Sequence, residues 1–523
     1  MFDWYPHLLS ADILGILGIF FFLVFWSRFR RTHTALPLPP GPKPLPILGN
    51  MFDMPEVHPA RTFEEWSQYY GGIIYLHLPG QPTLVLNTLK SALDLLEQRS
   101  QKYSSRPRSI MIKLMSWSYA FGLMEYGQRW RLRRKYFHEC FQQGVVDKYV
   151  PIQTQEINSF LRRMLAPGSS EKMERQTLLT FVAITVRAVY GIKVQDLNAD
   201  YVVMARESLD GFALAGVPGA FWVEYFPILQ FVPSWVPGAH FKRIAEQYRP
   251  VVQQALRQPF QAVKDSIALN PKNSPICATK DLILYIQQKY GGSGNYLEQE
   301  QAVMEAMAVA YGAATDTTNA VGLCFLLAMA KYPEVQKKAQ MSLDLHVGPH
   351  RLPTIEDYES LPYIQAIVME SIRWQPTFPL GLPHLLIADD EYMGYRIPKG
   401  TTVLPNLWAM LRDPEAYPSP ETFNPDRFIK DGALNPDIQD PQAIAFGFGR
   451  RVCPGRHFSN NALFLFIASV LHVFNVMPTT DDAGKPIPIE VDMTSGLVSI
   501  PKTVPCTLKS RSPAAEALVL QSR

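Results

Sequence analysis

The sequence is poor in cysteine. Five residues, Cys140, Cys277, Cys324, Cys453 and Cys506, are scattered over 523 positions. Their number is odd and no two form a CxxC pair, which argues against a disulfide framework and a zinc site. No N-x-S/T sequon occurs either, and both absences suit a domain folded in a reducing cytosol. The chain lacks internal repeats, low-complexity tracts and a mid-chain Gly/Ser linker, so one large domain is expected. It also lacks an excess of charge: 50 basic residues face 47 acidic ones, for a net +3. A nucleic-acid binder would be more basic and more clustered, so no nucleic-acid partner is expected. No nucleotide-binding glycine motif follows Cys453, so the chain is not expected to take hydride from a nicotinamide cofactor itself.

What is abundant is apolar residues, at 47% of the chain. Leu8 to Trp26 is apolar apart from Ser10 and Asp12. As a helix it spans roughly 28 Å, about one hydrocarbon core. Arg28, Arg30 and Arg31 follow, which places the N-terminus in the lumen and the rest in the cytosol. A cleaved signal peptide would carry its charges before the apolar run, not after it. Leu36 to Pro44 holds prolines at a density that forbids helix. The expected organisation is an anchor over 1–35, a stiff proline-rich hinge over 36–50 and one large domain over 51–523.

Within that domain the pattern is mostly α with a minor β region. Residues 72–78 and 83–87 read as a hairpin. Leu297 to Lys331 reads as a long helix opened by a capping-box-like Asn295-Tyr296-Leu297-Glu298 and stopped before Pro333. Pro362 to Trp374 reads as a helix with proline in its first turn and Pro376 beyond its end.

The richest segment is Phe446-Gly447-Phe448-Gly449-Arg450-Arg451-Val452-Cys453-Pro454-Gly455, followed by an apolar helix pattern over Arg456 to Val473. A helix N-terminus just downstream favours a thiolate. Glycines at 447, 449 and 455 permit a tight turn close to a flat group. Arg451 can reach a carboxylate on such a group. A structural cysteine in a glycine-rich turn is the plainer alternative. Against it, five positions of F-x-x-G-x-R-x-C-x-G are met at once, by Phe446, Gly449, Arg451, Cys453 and Gly455.

This segment resembles the haem-binding loop of the cytochrome P-450 superfamily, and the chain is similar to fungal secondary-metabolism members of it. The resemblance implies haem b with Cys453 as axial ligand to iron, where a thiolate pushes electron density onto the metal. Glu370 and Arg373 share a helix face at i, i+3. With Arg427 of Pro425-Asp426-Arg427-Phe428 they resemble the family's structural triad beneath the cysteine loop. Trp130 and Arg134, four apart on one face, are implied to contact a haem propionate, as are His384 and Arg451.

Ala313-Ala314-Thr315-Asp316-Thr317-Thr318 interrupts the long apolar helix with polar groups. Threonines bonding back to preceding carbonyls would explain it plainly. A proton relay explains it too, and resembles the family's [AG]-G-x-[DE]-T-[TS], with Asp316 as acid and Thr317 as hydroxyl. Ala314 stands where that motif has glycine.

The resemblance implies an enzyme that inserts one atom of O2 into an organic substrate, on the endoplasmic reticulum membrane, with membrane lipid around its anchor. An NADPH-dependent flavoprotein reductase would supply electrons, meeting a basic face that includes Arg133, Lys135, Arg450 and Arg456. Substrate walls would come from 106–123, 212–217, 304–317, 377–382 and 494–499. Their Met111, Met115, Trp117, Phe121, Phe212, Phe378, Leu380, Leu382 and Leu497 suit an apolar molecule. The rival reading is a haem-thiolate isomerase, dehydratase or peroxide user, for which the Asp316-Thr317 pair would be superfluous.

Overall fold

The computed structural model describes residues 36–166, 173–215, 221–270 and 274–522. The expected anchor over 1–35 lies outside them, and so do residues 216 and 217 of the expected substrate wall over 212–217.

The hairpin forms as β1 (Ile73–Leu76) and β2 (Thr83–Leu86), antiparallel with Ile73 opposite Leu86. Every residue of both strands is buried, so neither face is solvated. Two partners come from far along the chain. His384–Leu385 forms β3 and Thr402–Pro405 forms β4. β4 pairs in parallel with β2 and antiparallel with β3, which leaves β3 and its His384 at the sheet edge.

Helices make the body. Those that place the site are α1 (Ile110–Leu114), α2 (Gln128–Phe141), α3 (Met173–Tyr190) and α4 (Asp200–Ala215). They continue with α5 (Trp222–Tyr225), α6 (His240–Leu269), α7 (Tyr296–Lys331), α8 (Pro362–Trp374) and α9 (Arg456–Val473). The sequence bounds of α8 and α9 hold as read. α7 starts one residue early, and its start is a correction: Asn295 makes no side-chain cap, so the capping box does not form. Asn295 has helical ψ, −2°, instead of the extended backbone from which a cap side chain reaches forward.

α7 and α9 are apolar on nearly all faces because both run through the core. Among the described residues α7 alone is long and apolar enough to cross a membrane. However, 78% of its apolar window is buried within the protein, so it is a core helix. Phe325, Phe466 and Phe181 pack α7, α9 and α3 together, with Phe181–Phe466 and Phe325–Phe466 centroids 5.2 and 6.2 Å apart.

Candidate functional site

Cys453 sits two residues before Gly455, the N-cap of α9. Its own N–H donates to the Phe446 carbonyl at 2.7 Å, which closes the loop. Gly447 and Gly449 have φ of +77° and +53°, where a side chain is strained. At Gly449 an added Cβ would also collide with the Leu96 carbonyl. Gly455 differs from the expectation. Its φ is −93°, and an added Cβ would meet only ordinary contacts, 3.7 Å from Phe137 and 4.0 Å from the Cys453 sulfur. Nothing in the turn itself therefore demands glycine at 455.

Burial pushes the Cys453 thiol up. The N–H groups of Gly455 and Arg456 and the charges of Arg134 and Arg456 pull it down, but burial wins. The helix end alone does not make a thiolate here, whereas a coordinated metal cation would.

Four groups that are or can be cationic surround this loop. Arg134 donates to the Val452 carbonyl at 2.7 Å. Arg451 donates to the carbonyls of Ser104, Phe121 and Met124 at 2.6, 3.2 and 2.5 Å, and lies over the Trp130 ring at 4.6 Å. Arg106, which the sequence reading treated only as the edge of a substrate wall, donates to the carbonyls of Gly122, Leu382 and Pro383. His384 sets Nδ1 2.8 Å from the Tyr103 carbonyl, leaving Nε2 as its other ring nitrogen. Among the described residues none of the three arginines has an Asp or Glu partner. Burial drives Arg134 down to about 10 and Arg451 to about 9, the latter also pressed by the Arg134 charge. Burial and then its arginine neighbours hold Arg106 and His384 well below their ordinary values.

Unpaired buried cations are costly, and an anionic guest would offset that cost. The donor set therefore fits a flat cofactor with carboxylates on its rim and a metal that takes sulfur. The signal for Arg106 was present in Ser105-Arg106-Pro107, but only the fold brings it to Arg451.

On α7, the Thr317 hydroxyl donates to the Ala313 carbonyl at 2.9 Å, and the Thr315 hydroxyl to that of Tyr311 at 3.2 Å. The back-bonding pattern is thus present, yet the helix runs unbroken past Ala314. The buried Thr318 hydroxyl lies 3.2 Å from that of Ser459 on α9. Burial raises the Asp316 carboxyl; Arg206 of α4 opposes this and Asp210 adds to it.

Glu370 and Arg373 are fully buried and joined by two bonds, 2.7 and 2.9 Å. Arg373 also donates to the Leu411 and Pro420 carbonyls. Arg427 reaches Glu370 at 3.4 Å, and the Asn424 N–H reaches it at 2.8 Å. The triad is therefore assembled. A cavity of about 550 Å³ lined by Tyr358, Gln365, Phe464 and residues 434–440 contains none of these site residues.

Arg133 is a further correction. It is buried and bonded at 2.7 Å to the buried Glu305 of α7, so it belongs to no docking face. Its Arg-rich surroundings in the sequence hid a side chain that faces inward. Lys135 and Arg450 are exposed and Arg456 is half-buried.

Thiol, cationic rim and hydroxyl-bearing helix define a haem-binding oxidoreductase. Residues 39–506 match the cytochrome P450 family model. Cytochrome P450 monooxygenase COX2 of Coprinopsis cinerea is 40% identical over 92% of this chain and 90% of its own. Cytochrome P450 monooxygenase 98 of Postia placenta is 36% identical over 98% of both chains. Tryptamine 4-monooxygenase of Psilocybe cyanescens is 35% identical over 94% of this chain and 96% of its own. The chain belongs to the cytochrome P450 family, and is a haem-thiolate monooxygenase of the fungal kind.

Proposed function

We propose that Cys453 is the iron ligand and that Arg106, Trp130, Arg134, His384 and Arg451 hold the haem propionates. The observation that carries this is the gathering of Arg106, Arg134, Arg451 and His384 beside Cys453 with, among the described residues, only backbone carbonyls as hydrogen-bond partners. Phe446 and Gly449 shape the loop around the ligand, and Gly455 caps the helix that follows it. Bound haem b supplies the activation of O2 and the insertion of one oxygen atom into the substrate. Thr317 holds a water at the oxygen side, and Asp316 passes protons to it from solvent. Glu370, Arg373 and Arg427 brace the cysteine loop.

The substrate is an apolar organic molecule, in fungal secondary metabolism. Supporting this, Met111, Met115, Trp117 and Phe121 are buried in one cluster, with Phe212 5.1 Å from Trp117. Electrons come from an NADPH-dependent flavoprotein reductase that meets Lys135, Arg450 and Arg456. Residues 1–35 anchor the chain in the endoplasmic reticulum membrane with 51–523 in the cytosol, joined by the 36–50 hinge. Protease added to intact microsomes should then digest the catalytic domain; a protected domain would invert this topology.

Turnover under labelled dioxygen, with reductase, NADPH and extracts of apolar metabolites, tests the reaction. One labelled atom per product is expected. An unlabelled, isomerised or dehydrated product would support the rival chemistry.

A further inference from the structure

The cavity of about 550 Å³ that contains no haem-site residue lies between α8, α9 and the loop 434–440. Its floor is apolar. Phe464 of α9 and Val368 of α8 are buried there, and Tyr358, in the turn before α8, sets its ring 4.8 Å from that of Phe464. The cavity is flanked by Gln442, on the way into the cysteine loop, and by Asn460, on the helix that leaves it.

The polar groups around it are acceptors without donors. Gln365 of α8 is 7% exposed. Its Nε2 donates to the Tyr358 carbonyl at 2.7 Å, whereas its Oε1 has no donor among the described residues. The Oδ1 of Asn460 is buried and also lacks one, while its Nδ2 is engaged by Gln442. At the exposed mouth, Asp440 accepts the Gln442 N–H at 2.9 Å through one carboxylate oxygen, and its other oxygen has no donor among the described residues. Asp437, the other acid of the loop, is paired with Lys430 at 2.7 Å. No residue lining the cavity is Lys, Arg or His. Partial burial raises the Asp440 carboxyl, and no cation acts to lower it.

An apolar cavity with a few convergent polar groups suits a small molecule, and here those groups specify it. The deep amide oxygen calls for a neutral donor, because an acceptor left unpaired in a dry site costs free energy. The carboxylate at the mouth calls for a cation and repels an anion. We propose that this cavity is a second, peripheral site for a protonated arylalkylamine whose ring carries a hydroxyl or N–H. The ring lies on Phe464 and Tyr358, its donor meets Gln365, and its ammonium meets Asp440.

The test is calorimetry on holoenzyme whose iron is already held by saturating clotrimazole. The probe is tyramine, with phenethylamine, which lacks the ring hydroxyl, and 4-ethylphenol, which lacks the amine. Tyramine should bind once per chain with a dissociation constant below about 1 mM, and each truncated probe roughly fivefold more weakly. Asp440→Asn, which keeps an acceptor for the Gln442 N–H, should bring tyramine down to the affinity of 4-ethylphenol. Gln365→Leu should abolish the preference for tyramine over phenethylamine. If either variant fails to fold, Leu434→Trp, which fills the cavity from its exposed edge, should abolish tyramine binding. Equal affinity for the three probes, or unchanged tyramine binding in these variants, would overturn the site. Tyramine heat that vanishes once clotrimazole holds the iron would place the amine at the haem instead and overturn it as well.

Discussion

The Thr318 hydroxyl lies 3.2 Å from the Ser459 hydroxyl, so it is committed to the helix that follows Cys453. Thr317, half-buried, has among the described residues the Ala313 carbonyl of its own helix as its hydrogen-bond partner. The two threonines therefore differ in their partners, and the proposed relay assigns the hydroxyl role to Thr317. Thr317→Ala should keep consuming NADPH and oxygen while product falls and hydrogen peroxide rises. Thr318→Ala should stay coupled and lose about 1 kcal/mol of stability. Product, peroxide and NADPH counted together distinguish them, and full coupling in Thr317→Ala would remove it from the relay.

Asp316 yields a pH prediction. Its folded value is raised, chiefly by burial. The unfolded chain thus gives up this proton at lower pH, and the folded state loses stability as pH climbs from the ordinary carboxylate value through the raised one. Asp316→Asn removes that loss. Its melting temperature should exceed wild type at about pH 7, and the gap should close toward about pH 4. Turnover should fall, because proton entry is impaired. A gap that is constant with pH would mean the carboxyl is not desolvated.

Breaking the Glu370–Arg373 pair leaves the fully buried Glu370 without its two-bond partner, keeping only Arg427 at 3.4 Å and the Asn424 N–H, at a cost of roughly 3 kcal/mol. Arg373→Ala should yield protein with little haem. Normal haem content, measured as pyridine haemochrome per polypeptide, would show that the pair does not brace the loop.

Much of this was legible because it is local. The spacing of Glu370 and Arg373 follows from one helical turn, and the ends of α8 and α9 follow from proline, glycine and apolar runs. What was not legible is long-range. β2 pairs with β4 more than three hundred residues away, and Arg106 meets Leu382 and Pro383 across 276 and 277 positions. Arg133 misled for a related reason. In a basic helical run nothing local shows which arginine turns inward, and Glu305, its partner, lies 172 residues on.

Arg450 and Arg133 are thus two kinds of arginine, one exposed and one buried against Glu305. Arg450→Glu should slow electron transfer from the reductase, more at low ionic strength than at high, with haem content unchanged. Arg133→Gln should instead lower stability, by roughly 1–3 kcal/mol, because the buried Glu305 loses its 2.7 Å partner and keeps only Arg129 at 3.5 Å and the Gln301 amide. A salt-dependent reductase defect in Arg133→Gln with normal stability would return that residue to the docking face.

Arg106→Ala should weaken haem retention, since it removes a buried cation from the rim while leaving Cys453 in place. Haem transfer to apomyoglobin measures the loss, and a release rate equal to wild type would exclude Arg106 from the rim.

Whether Cys453 binds the iron is tested most directly by the carbon-monoxide difference spectrum of the reduced protein. Wild type should show the red-shifted Soret band of a thiolate-ligated haem, and Cys453→Ser should lose it. A Cys453→Ser protein that keeps the band would show that another residue is the ligand, and would contradict the account of this loop.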